Sequence, residues 1–171
     1  MILYRWSARS DALRSLEQNY ETFRFVLINL RSDVQQTGET QREASALLKK
    51  LNKFETAFMT IFWTTILIRV NETIKLLQRT SMELSAAVAL LKSLSEFLIV
   101  QRDNFDNYYK KTLDVMTAIG DAACVPDFKI GRVLRPRSLH DDILQPGVVL
   151  TGQERFKIEC FYVILDTLVV D

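Results

Sequence analysis

Apolar residues recur at Leu13, Leu16, Tyr20, Phe23, Leu27 and Leu30, three or four positions apart throughout. That spacing lays them on one stripe of an α-helix and predicts a helix from about Ser7 to Arg31. The Ser7 hydroxyl is placed to accept a hydrogen bond from a free amide of the first turn. The cluster Ser32-Asp33-Val34-Gln35-Gln36-Thr37-Gly38 ends the segment. A second helix is predicted from Thr40-Gln41-Arg42-Glu43, where Thr40 and Glu43 form a capping box. Ala44, Leu47, Leu48, Leu51 and Phe54 then hold the period and run on, without a marked break, toward a third element, Glu55 to Gln78.

The third element is apolar on nearly all sides, through Phe58, Met59, Ile61, Phe62, Trp63, Ile66, Leu67 and Ile68. Such a helix belongs at the centre of a bundle. Thr60, Thr64 and Thr65 can return their hydroxyls to the preceding turn and so remain compatible with burial. Thr80-Ser81-Met82-Glu83 repeats the capping-box spacing ahead of the longest periodic segment. Leu84, Ala87, Val88, Leu91, Leu94, Leu98 and Phe105 carry its stripe to Leu113 and Met116. Gly120 is placed as the left-handed residue past the last turn. A helix of about 38 residues would be about 55 Å long. That is longer than a compact domain, so a kink is expected between Val100 and Asn104.

Composition agrees with this reading. The first 119 residues hold one Gly and no Pro, which leaves little punctuation for hairpins or sandwich turns. With 48% hydrophobic and 25% charged residues in 171, the chain is an ordinary globular domain rather than a disordered one. The expected fold class is all-α, long antiparallel helices forming a bundle. Residues 121 to 153 differ: Pro126, Pro136, Pro146, Gly131, Gly147 and Gly152 fall there and no apolar period survives. This segment reads as a loop or linker before a last element, Glu154 to Val170. The β-branched content of that element favours a strand and its length a helix.

The net charge of +1 argues against a protein that holds nucleic acid by bulk electrostatics. One local patch stands out. Lys129, Arg132, Arg135 and Arg137 place four positive charges within nine residues without an acid, and could contact phosphates. No aromatic is interleaved among them, so they read first as a solvated linker. Cys124, Cys160 and the single His140 supply neither a disulfide framework nor metal-site spacing. The two thiols read as ordinary and His140 as a solvated loop residue. Asp103 and Asp106 read as surface charge beside Arg102 and Lys110. No glycine-rich phosphate loop, nucleophile elbow or HExxH is present. No cofactor and no small-molecule substrate is expected. The most apolar stretch, Thr56 to Ile68, is too short to cross a bilayer as a helix, and no signal peptide is seen. A soluble intracellular chain without a membrane partner is expected. Trp6 reads from the residues alone as a core indole, with base stacking the alternative.

Tyr4-Arg5-Trp6-Ser7-Ala8-Arg9-Ser10-Asp11-Ala12-Leu13 resembles the "TRWSSRxDAL" segment of hAT-type transposases and their domesticated relatives. Among these are MYM-type zinc-finger proteins and repressors of the inhibitor of the protein kinase. Further segments follow in the same order. Glu43 to Leu48 with Phe54 is similar to "AxxLLKKLxxFEF", and Thr65-Ile66-Leu67 with Leu76-Leu77-Gln78 to "ILxxxNxxSKxLQ". Leu84 to Val88 matches "LSTAVxLLxSL", and Glu159 to Asp166 resembles "VEVFYPILDxLI". The resemblance spans most of the chain.

It implies an all-helical insertion within an RNase H-like core, with residues 1 to 6 at the edge of that core. Residues 7 to 120 would form the insertion, 121 to 153 a basic loop, and 154 to 171 a C-terminal helix. It implies a nuclear protein in which Arg5 and Trp6 hold the cleaved DNA end. Tyr4 departs from the family's Thr, which touches only the flank of that pair. The family's two metal-binding Asp residues, its catalytic Glu and its zinc fingers fall outside this sequence. Two-metal strand cleavage needs all three carboxylates to hold ions about 4 Å apart. The expectation is thus a catalytically incomplete fragment that meets DNA in its full-length parent and contacts protein partners or copies of itself. The alternative is a free-standing helical interaction module with no nucleic-acid role.

Overall fold

The computed structural model describes residues 2–79, 82–120 and 150–170, with side chains for 7–79, 82–120 and 150–169. Among these residues the regular structure is entirely helical. Helices α1 (Ile2–Gln18) and α2 (Tyr20–Ser32) occupy the first predicted segment. The helix begins at Ile2 rather than at a Ser7 cap, because no Gly, Pro or capping side chain in the apolar lead stops it from extending. A break at Asn19 was not legible. The Asn19 amide side chain donates to the Ser15 carbonyl at 3.0 Å and its backbone leaves the helical region at φ −122°. This single residue rotates α2 about its axis. Phe23, on the predicted inner stripe, faces solvent, and Arg24 is buried instead.

The turn into α3 (Gly38–Leu51) is organised by Asp33, whose carboxylate accepts from the Gln35 amide at 2.9 Å and from Gln36 Nε2 at 3.1 Å. These bonds, the backbone one first, hold its pKa below the usual 3.8. The cap of α3 lies three residues before the predicted Thr40 box. Thr37 Oγ1 accepts from the Thr40 amide at 3.2 Å, so Thr40 is inside the helix it was expected to open.

Helix α4 (Phe54–Leu77) is separated from α3 by a turn at Asn52 and Lys53. It packs against α1, α3, α5 and α6, as its all-round apolarity predicts. Thr60, Thr64, Thr65 and Thr73 donate their hydroxyls to carbonyls four residues back, at 2.7–3.1 Å. Phe58 and Phe62 are fully buried, Leu67 is nearly so, and Trp63 is half-buried.

Helix α5 (Leu84–Gln101) is N-capped at Glu83; Thr80 and Ser81 of the predicted box lie outside the described residues. The expected kink is present. Arg102–Asn104 form a 3₁₀ turn that leads into α6 (Phe105–Ala118). Gly120 adopts φ 75°, the left-handed end predicted for it.

Residues 121–149 lie outside the described part. The chain resumes with a capping box at Thr151: its hydroxyl accepts from the Glu154 amide at 3.2 Å, and Glu154 Oε2 accepts from the Thr151 amide at 2.7 Å. The last element is helical and starts at Gly152, two residues before the predicted boundary. It comprises α7 (Gly152–Phe156), a π-helical stretch Lys157–Tyr162 and α8 (Val163–Val170). Five residues of α-helix turn through about 500°, so Phe156 and Phe161 would lie about 140° apart on a regular one. The wider π turns bring both rings to Phe58, at centroid distances of 5.1 and 6.0 Å. Phe62, Phe105 and Tyr108 complete an aromatic core shared by α4, α6 and the C-terminal helix.

Candidate interaction surface on helix α5

Lys92 and Glu96 are the only charged residues among the eighteen of α5. Despite this, only Leu98 and Gln101 of the helix are buried. Leu84 is 82% exposed, Val88 58%, Leu91 53%, Ile99 55% and Val100 58%. At about 100° per residue, Leu84, Val88, Leu91, Ser95 and Ile99 fall within an arc of about 80°. They make one stripe pointing away from α4, apolar except at the half-buried Ser95. Its spacing of four, three, four and four residues keeps it on one face of the helix.

The stripe runs into a groove between α5 and α8, lined by Leu98, Ile99, Arg102, Leu165, Asp166 and Val169. Its volume, about 270 Å³, falls below the roughly 300–1,000 Å³ of small-molecule sites. It is large enough to take an apolar side chain. Arg102 closes one end of it, ion-paired with Asp166 and seated 4.3 Å from the centre of the Tyr162 ring. Both partners are about half exposed, so the pair fixes geometry more than it adds stability. Beside it Lys157 Nζ lies 5.0 Å from the centre of the Phe105 ring. On the α4 side Arg69 Nη2 donates to Ser93 Oγ at 2.9 Å, which ties α5 to the core by one polar link.

Leu84–Ala118 is long and apolar enough to cross a membrane by length and composition, and 11% of its most apolar 18-residue window is buried. It is not the stretch singled out in the sequence, Thr56 to Ile68, which lies within α4. A second apolar area lies on α2, where Phe25 is 63% exposed next to Phe23 and Val26.

The sequence-predicted site residues are not gathered at this surface. Arg5 and Trp6 have their backbone in the first turns of α1, and their side chains lie outside the described residues. Lys129, Arg132, Arg135 and Arg137 lie outside them entirely, as do Cys124 and His140. Asp103 and Asp106 are exposed. Arg102 pairs across to Asp166, not with these neighbours. Cys160 is a half-buried free thiol whose pKa is raised, first by burial and then by the charge of Glu55. Among the described residues no group of three or more His, Cys, Asp or Glu is placed to hold a metal ion.

The signal that sequence reasoning missed was within reach. Two segments, α4 and α5, are apolar on nearly all sides, and one bundle centre accommodates one of them. No protein-family model, curated protein or solved structure matches the chain.

Proposed function

We propose that the chain is a non-catalytic helical module of an hAT transposase-like protein whose working surface is the exposed face of α5. One observation carries this reading: an apolar stripe of α5, Leu84, Val88, Leu91 and Ile99, faces solvent. Apolar area of that continuity is retained at sites of protein contact. The groove at its end is sized for a side chain, and it holds no array of acid–base groups. In this reading α5 docks a protein surface, and Arg5 and Trp6 form the DNA-facing edge in the full-length nuclear parent. The RW motif resemblance supports the second part. The basic residues Lys129, Arg132, Arg135 and Arg137 would add phosphate contacts there.

The test is site-specific photo-crosslinking in cells. A photoreactive residue at Val88 should give discrete protein adducts, and the same residue at exposed Glu43 on α3 should not. Equal yields from the two positions, or none from Val88, would refute α5 as a docking face.

A further inference from the structure

We infer that the partner of α5 is a second copy of this chain, packed antiparallel along the same helix. This rests on reading α5 as a docking face and adds the identity of the partner. Charge complementarity selects both partner and orientation. Lys92 and Glu96 stand one helical turn apart, exposed, beside the apolar stripe. Both flank the stripe on the same side, so in a parallel pair of copies each would face the opposite, uncharged flank of the other helix. In an antiparallel pair centred near Leu94, Lys92 of each copy lies opposite Glu96 of the other, giving two reciprocal ion pairs about a twofold axis. Within one helix a Lys four residues before a Glu is the weaker order, so the intramolecular alternative competes poorly.

The apolar residues fit the same register. Val88 falls within one residue of a position opposite Ile99, which is exposed. Ser95, near the axis, lets the two helices approach closely. Leu84, the most exposed apolar residue of α5, lies about ten residues from the centre and reaches the other copy beside Arg102. There the groove between α5 and α8 opens, with room for such a side chain. Each copy therefore offers both a projecting leucine and a recess of matching character, as an isologous interface requires.

The experiment is sedimentation equilibrium of the 171-residue chain from low to high micromolar concentration. A dimer mass is expected. Lys92→Glu and Glu96→Lys should each weaken dimerisation about tenfold or more, because each sets like charges face to face. An equimolar mixture of the two variants, and the doubly exchanged chain, should both recover it. Circular dichroism checks that all variants stay folded, which their exposed positions favour. A chain monomeric throughout, or single variants that dimerise like the parent, overturns the inference. So does a monomer that co-sediments with neutral phosphatidylcholine vesicles, which would make the stripe a membrane contact. If sedimentation fails while the crosslinker at Val88 still yields adducts, the docking face stands and only its self-pairing falls.

Discussion

The Phe58 ring meets the Phe161 ring nearly at right angles, with centroids 6.0 Å apart and an interplanar angle of 82°. Both side chains are fully buried. The contact fastens the last helix to α4, across the residues 121–149 that separate it from the rest. Phe58→Ala or Phe161→Ala should therefore cost about 3–5 kcal/mol, the range for emptying a buried aromatic site. Urea unfolding followed by circular dichroism measures it. A loss under about 1 kcal/mol at Phe161 would mean that the C-terminal helix is not docked there.

Arg24 is buried on α2, and its Nε donates to Asn52 Oδ1 at 2.7 Å. It spans α2 and the α3–α4 turn. Arg24→Ala should destabilise the chain by about 1–3 kcal/mol, since polar partners lose their donor in a partly dry setting. Exchange of the slowed amides in α2 and α3 should quicken more than that in α5.

Asp33 and Glu154 both have lowered pKa values, each mainly through a hydrogen bond from a backbone amide. A carboxylate depressed in the folded state contributes stability above its unfolded pKa and loses it as pH falls through the folded value. The α2–α3 turn and the start of α7 should thus loosen below about pH 4, while neutral pH leaves them intact. Hydrogen exchange of residues 33–37 and 151–156 across an acid series reports it. Asp33→Asn should flatten the response at the first site only.

Burial and the nearby Glu55 hold the Cys160 thiol protonated beyond its ordinary range. At neutral pH its alkylation by iodoacetamide should run several-fold slower than in the urea-unfolded chain, because the thiolate is the reacting species. Peptide mass spectrometry separates it from Cys124. Equal rates in both states would contradict the placement of Cys160.

If the transposase-like reading proposed above holds, Trp6→Ala in a full-length protein carrying this segment should reduce strand cleavage while bulk DNA affinity stays near normal. One indole contributes stacking of about 1–3 kcal/mol on an unstacked base and little phosphate attraction. Loss of folding instead would assign Trp6 to the core.

The helical frame was readable because apolar spacing reports which side of a helix is dry, and α4 and the kink before Phe105 followed from it. Phase was harder to read. Asn19 shows as a polar residue on an outer face, yet its amide reaching Ser15 turned Phe23 out and Arg24 in. The cap at Thr37 lost to Thr40 in the sequence because the box pattern weighs a Glu three residues on, whereas the fold uses the hydroxyl alone. The α5 face stayed hidden for another reason. Spacing shows that a helix has apolar sides, but only neighbours decide how many of them are covered.

The π-helical stretch Lys157–Tyr162 divides the last helix into two frames of reference. Residues before it are aligned through Phe156, and those after it through Phe161 and Leu165. A length change of one residue between Phe156 and Phe161 would leave an unbroken helix, yet it would uncouple the two frames. Between these two anchors, descendants of this sequence should tolerate changes of composition better than changes of length. An insertion or deletion inside these few residues, harmless in an ordinary exposed helix, should be as rare as one in the middle of a core strand.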